Sequence, residues 1–217
     1  NTAVEVYFQV GKDNTRDRVM VDLLMEMMYE PLYDQVRTKD QFGYHVSCDC
    51  RWTNGIIGMH FQVVTSCKNG QEAEDRIEKF IGDFRETIVN MKEADFVHHL
   101  VALAKQKLDM FNSLREESNH YWSEIRDGRY LWDVERQEVM CLRTFTKEDA
   151  LKAYDEWLSP SSKIRKRVAI QVISSEGDAS VGRPELDAGV DVSEYNDERV
   201  KEFRIKHCKN QTFGKIY

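Results

Sequence analysis

The sequence predicts an α+β fold, an antiparallel sheet packed on several helices, and three observations carry that prediction. The segment Val4-Glu5-Val6-Tyr7-Phe8-Gln9-Val10 alternates with a period of two and ends at Gly11, as a half-buried strand does. Asn54-Gly55 stands between two further alternating segments, the pattern of a tight β-hairpin. Over residues 71–130 apolar side chains instead recur at helical spacing.

Each element follows from local chemistry. After the first strand, Asn14 or Thr15 is suited to cap a helix, and Asp17 complements its positive end. Met20, Leu24, Met27, Met28 and Leu32 recur on one face with Val19 and Leu23 beside them, a pattern that fits core packing better than an adaptable methionine-rich binding face. Pro31 falls inside this pattern, where a kink or tightened turn would re-aim the segment carrying Arg37. A strand then begins near Gly43, with Tyr44, Val46, Cys48 and Cys50 on one face. Its hairpin partner alternates Ile57, Met59, Phe61 and Val63 with Gly58, His60 and Gln62.

Three helical stripes follow. Ile77, Phe80, Ile81, Phe84 and Ile88 form one, and Phe96, Leu100, Leu103, Ala104 and Leu108 form another, starting near Lys92-Glu93. A third runs through Tyr121, Trp122, Ile125 and Tyr130. Thr146-Lys147-Glu148-Asp149 resembles a capping box with Asp in place of Glu, and its helix carries Leu151, Tyr154, Trp157 and Leu158 up to Ser159-Pro160. The basic cluster Lys163, Arg165, Lys166 and Arg167 reads as a solvated linker rather than an anion grip. Residues 168–173 have the pattern of a buried strand. Beyond them the composition shifts to Gly, Ser, Asp and Glu. The expected organisation is one domain over 1–174 and an acidic loop and C-terminal tail over 175–217, with a short helix near Arg199 and a terminal segment docking back.

Composition narrows the function. A net charge of −7 argues against a nucleic-acid binder, whose footprint is basic. Five cysteines, at positions 48, 50, 67, 141 and 208, form no disulfide framework and suit a reducing compartment. With no long apolar run and no leader, neither a membrane partner nor a signal peptide is expected, and the expected location is cytoplasmic. The chain opens directly in a strand without Met and reads as a piece of something longer.

No His-x-x-Glu-His zinc motif occurs. The adjacent pair His98-His99 points to different sides of a helix, and no Glu follows in register. In His45-x-x-Cys48-x-Cys50 the histidine faces away from the thiols and a fourth ligand is missing. No metal site is therefore expected in this chain. What remains is the stretch 30–50, where Arg37 ends a helix and Tyr44 starts a strand. A guanidinium and a phenol are both hydrogen-bond donors at neutral pH, and on the ends of rigid elements they can address one developing negative charge. The plainer reading is a helix end with its usual basic residues and a glycine-hinged entry into a strand.

Arg37-Thr38-Lys39-Asp40-Gln41-Phe42-Gly43-Tyr44, preceded by Glu30-Pro31, resembles the insulin-degrading enzyme and nardilysin branch of the pitrilysin (inverzincin) metallopeptidases. The similarity extends over residues 1–174. It takes in Asn54-Gly55, Leu103-Ala104, Leu108-Asp109, Tyr121-Trp122-Ser123-Glu124-Ile125 and the segment 142–149. The resemblance is to the last domain, in the half that lacks the zinc motif, and implies a pitrilysin/processing-peptidase-like fold that begins upstream of Asn1. It further implies a clamshell whose N-terminal half carries the zinc and the water-activating Glu, with none bound by this chain. Arg37 and Tyr44 would reach the active site, with Gln41 and Gly43 beside them against the substrate. The implied partners are the N-terminal catalytic half of the same polypeptide and peptide substrates, with a homodimer as a further option, and the isolated chain would be inactive. Where the family can carry a basic, polyanion-binding stretch, this chain has Met110-Phe111-Asn112-Ser113-Leu114 with only Lys105 and Lys107 nearby, which puts polyanion activation in doubt. Two other readings compete: a structural, non-peptidase subunit like the non-catalytic processing-peptidase subunit or the respiratory-complex core proteins, and a stand-alone peptide-binding module.

Overall fold

The computed structural model describes residues 1–126 and 128–173. Strand β1 (Thr2–Lys12) leads into α1 (Thr15–Leu32), which continues without a break as a π-helical segment, Tyr33–Lys39. The hairpin β2 (His45–Thr53) and β3 (Ile56–Thr65) comes next. Then come α2 (Gly70–Asn90), α3 (Glu93–Leu108), α4 (Leu114–Arg126), α5 (Val134–Leu142), α6 (Lys147–Trp157) and β4 (Arg167–Val172). The strands form one antiparallel sheet in the order β2-β3-β1-β4.

One face of the sheet is apolar, and the helices cover it. Val4, Val6 and Phe8 of β1, Val46 and Cys48 of β2, and Met59, Phe61 and Val63 of β3 are all buried. They share one core with the predicted stripe of α1 (Met20, Leu24, Met27, Met28, Leu32) and that of α2 (Ile77, Phe80, Ile81, Phe84, Ile88). Asn14 is the cap of α1, its side chain accepting from the Asp17 amide at 2.9 Å. Asn69 and Glu72 make a capping box at α2 that no sequence pattern above anticipates, and Thr146 and Asp149 make the expected one at α6. Among the described residues no helix is long and apolar enough to cross a membrane.

Several expectations need correction. Pro31 does not end α1: the helix runs on to Leu32, the Tyr33 amide is shared between the Glu30 and Tyr29 carbonyls, and the chain then widens into the π-helical segment from Tyr33. Tyr130 lies beyond α4 with a left-handed φ of 56°, so it is not part of the helical stripe. Helix α5 is hidden in the sequence because its inward positions are Val134, Glu138 and Leu142: a carboxylate stands where periodicity asks for an apolar residue. Strand β4 is an edge strand exposed on one side, not a buried one. Its register beside Ala3, Glu5 and Tyr7 turns Val172, Ile170 and Val168 to the outer face, while Arg167, Ala169 and Gln171 turn inward. Arg165 and Arg167 are not solvated linker residues either, since they pair with Glu78 and Glu74 of α2. The expected tail over 175–217, with its helix near Arg199, lies outside the described residues.

The buried carboxylate of Glu138 is compensated. Arg18 of α1 donates to it at 2.8 Å and Lys107 of α3 at 2.7 Å, while Arg18 also reaches Asp13 and Lys107 also reaches Asp22. Burying such a charge is tolerable only because it is paired and hydrogen-bonded. Lys107 is thereby turned into the protein, engaged by both Asp22 and Glu138.

Candidate functional site

The site grows out of the end of α1. The apolar stripe that seats α1 on the sheet extends one position further to Val36, which is fully buried in the π-helical segment. Adding a residue to a helical turn rotates every residue beyond it, and such widened turns recur at functional positions. With Val36 facing the core, Arg37 is carried to the surface, where its guanidinium lies over the Tyr33 ring, 4.8 Å from the centroid. That contact narrows the rotamers open to a long, flexible side chain.

The segment from Asp40 to Tyr44 is held at each residue. Asp40 closes the π-helical segment, its amide donating to the Gln35 carbonyl at 3.0 Å. Its carboxylate accepts from Gln35 Nε2 at 3.0 Å and from Arg76 Nε of α2. Burial pushes the Asp40 carboxyl up, but the Arg76 and Gln35 hydrogen bonds outweigh it and hold the group below the usual carboxylate range. Gln41 turns the chain with a left-handed φ of 52°, and Cys67 Sγ donates to its carbonyl at 3.8 Å. The Phe42 amide returns to the Val36 carbonyl at 2.9 Å, and the Tyr44 amide donates to the Val64 carbonyl of β3 at 3.1 Å. Gly43 passes so close to β3 that a β-carbon would stand 2.3 Å from Val64 O. Only glycine permits that approach.

Strand β2 starts at His45, so Tyr44 is the last residue of the loop rather than the first of the strand. Its ring is 57% exposed, and its hydroxyl accepts from Asn1 Nδ2 at 3.2 Å. Arg37, Gln41, Gly43 and Tyr44 line one open depression of about 350 Å³ together with Thr38, Ser66 and Cys67. The structure thus brings all four expected residues to one place. Sequence reasoning missed Ser66 and Cys67, which arrive on the turn between β3 and α2, and Asp40 and Arg76 behind the loop. Residues 41 and 67 are joined only by the fold, and nothing local in the chain signals it.

These residues do not suit a metal. Among the described residues no group of three or more His, Cys, Asp and Glu side chains is placed to hold an ion. Cys48 is buried, whereas His45 is exposed on the opposite face and hydrogen-bonds Gln62. Burial pushes the thiols of Cys48 and Cys50 up to about 12.

Comparison with known proteins adds an independent line. The family described as PQQ synthase PqqF-like, C-terminal lobe domain 4, matches residues 23–122. The chain is 35% identical over 179 residues to insulin-degrading enzyme from Homo sapiens, covering 82% of this chain and 18% of that protein. It is 35% identical over 166 residues to nardilysin from Homo sapiens, covering 76% and 14%. The chain therefore spans less than a fifth of the length of these relatives. In three dimensions it matches 20% of the pitrilysin crystal structure with a TM-score of 0.72 over 85% of this chain, at 21% identity, a likeness of fold. It also matches 92% of the inactive peptidase domain of a Bordetella parapertussis protein, with a TM-score of 0.62 and 11% identity.

Proposed function

Because this chain belongs to the M16 (pitrilysin) peptidase family, as a homologue of the C-terminal part of insulin-degrading enzyme and nardilysin, we propose that it is the non-catalytic C-terminal domain of a clamshell zinc metalloendopeptidase. On this reading it closes the chamber, binds the peptide substrate and presents Arg37 and Tyr44 to the active site of the N-terminal half. That half holds the zinc and the water-activating glutamate, and this chain alone cleaves nothing. The cysteine usage supports a reducing, cytoplasmic setting.

One observation carries the proposal. Arg37 and Tyr44, eight residues of chain end to end, open onto the same depression from a loop tied at both ends to buried structure. Peptide-bond hydrolysis develops negative charge on the carbonyl oxygen, and a donor fixed in advance stabilises that charge without reorganising during the reaction. The Tyr44 phenol is the group suited to donate to the oxyanion. The Arg37 guanidinium, with several N–H donors in a planar fork, is suited to hold the backbone carbonyls of a bound peptide. Gln41 and Gly43 then contribute the wall against which the peptide lies.

The test is kcat and KM for peptide cleavage by the full polypeptide carrying Tyr44→Phe, which deletes one hydroxyl. Loss of one oxyanion donor lowers kcat by about 10²–10³. A change in KM alone would make Tyr44 a substrate cradle. No change in either would overturn the proposal and favour a structural role for the domain.

A further inference from the structure

We infer that Asp40 and Arg76 are a positioning pair for the Arg37–Tyr44 site, an ion pair that pins the loop carrying both residues to helix α2. The inference rests on the functional reading above and extends it to two residues that line no part of the Arg37–Tyr44 depression. Asp40 lies three residues after Arg37 and four before Tyr44, between the two groups whose separation matters. Its two oxygens are divided: Oδ1 accepts from Gln35 on the same π-helical segment, and Oδ2 accepts from Arg76 on α2. One carboxylate therefore joins the end of the first helix to a second, separate helix.

Helix α2 is a sound anchor. Its start is set by the Asn69–Glu72 capping box, with Asn69 Oδ1 accepting from the Glu72 amide at 2.7 Å. Immediately after Arg76, the stripe beginning at Ile77 is buried in the core. Arg76 itself is 11% exposed, and its Nη1 is buried without a hydrogen-bond partner, so the contact with Asp40 is central to compensating that cation. The loop needs such an anchor. Gln41, directly after Asp40, holds a left-handed φ that a side chain rarely adopts, and the tie on its other side, from the Cys67 thiol at 3.8 Å, is long and weak. Without Asp40–Arg76 the backbone from 40 to 43 keeps its amide bonds at Gln35 and Val36 but loses the side-chain bond that fixes its height above α2.

The experiment compares Asp40→Asn, Asp40→Glu, Arg76→Gln and the double variant Asp40→Asn/Arg76→Gln in the full polypeptide. Each is measured for kcat, KM, unfolding midpoint and amide hydrogen exchange over residues 41–44. Expected are a fall in kcat of about 10- to 100-fold in Asp40→Asn and Arg76→Gln, as small misplacements of catalytic groups produce. The double variant should be no worse than the worse single one, and Asp40→Glu should recover most of the rate. Exchange at 41–44 should quicken in the weakened variants while exchange in the core strands stays unchanged. Unaltered exchange at 41–44 overturns the pin, whatever the kinetics. A rate loss that only tracks the fraction unfolded, or that Asp40→Glu does not relieve, also overturns it. If Tyr44→Phe proves silent, the functional reading fails, and the exchange data still decide whether the pair holds the loop.

Discussion

The α-carbon of Gly43 rests against the carbonyl of Val64 so closely that a β-carbon would stand 2.3 Å from the oxygen. The same oxygen accepts the Tyr44 amide at 3.1 Å. One carbonyl of β3 thus sets both how near the loop approaches the sheet and where Tyr44 begins. Gly43→Ala must push backbone away from backbone, which no rotamer change can relieve. On the proposed role of Tyr44, we expect the full polypeptide to lose about tenfold or more in kcat, as small misplacements of a catalytic group produce. The accompanying stability loss should be about 1–3 kcal/mol, as for other overpacked sites. Turnover by the full polypeptide and urea unfolding of the chain check the two parts.

Glu138 is the keystone of the pairing between α1, α3 and α5, since it accepts from both Arg18 and Lys107 while only 5% exposed. Glu138→Ala leaves two cations facing a vacated site. The expected loss is about 3–5 kcal/mol, the usual consequence of removing one partner from a buried pair. Lys107→Met should cost a comparable amount, because Arg18 remains to compensate Glu138 but Asp22 loses its ion-pair partner. Urea midpoints for the two variants give the comparison.

The cap of α6 makes stability depend on acid. Asp149 accepts from the Thr146 amide and hydroxyl, and its pKa is lowered chiefly by that backbone hydrogen bond, against some burial. A carboxyl depressed in the folded state stabilises the fold fully above its unfolded pKa of about 3.9, and loses that contribution as pH falls through the lower, folded value. Asp149→Asn should therefore lower stability near neutral pH, and its difference from the parent chain should shrink as pH falls through the folded value. Denaturation curves at pH 7, 4 and 2.5 test the trend.

Thiol reactivity should follow burial. Cys48 and Cys50 are held at about 12 by burial, and burial also raises Cys141, whereas Cys67 is exposed at the rim of the depression. Brief treatment of the native chain with iodoacetamide at pH 8 should modify Cys67 ahead of Cys48, Cys50 and Cys141. Labelling of Cys48 or Cys50 under native conditions would mean that β2 opens more readily than the core packing implies. Peptide mass mapping reads the order.

Much of the fold was legible where burial and period coincide. The α1 stripe from Met20 to Leu32, the Asn54-Gly55 hairpin and the α2 stripe are all seen as expected, since each depends on neighbours within a few residues. Legibility failed where a charge takes a core position. Glu138 hid α5 because its partners, Arg18 and Lys107, lie 120 and 31 residues away along the chain. It failed again at β4, whose apolar run looked buried although its place at the sheet edge leaves Val168, Ile170 and Val172 exposed.

The chain's own chemistry therefore determined the class of fold and the order of its first elements, and it offered Arg37 and Tyr44 as candidate donors beside the plainer reading of a helix end and a strand entry. Residue type, helical period and turn preference are local properties and can be read along a line. The tertiary structure alone decided that Gln41 meets Cys67, that Asp40 meets Arg76, and that the turn after β3 closes the depression from its far side. The two side-chain contacts join residues 26 and 36 apart, and only the packing of α1 and α2 on a common sheet brings them within hydrogen-bonding reach.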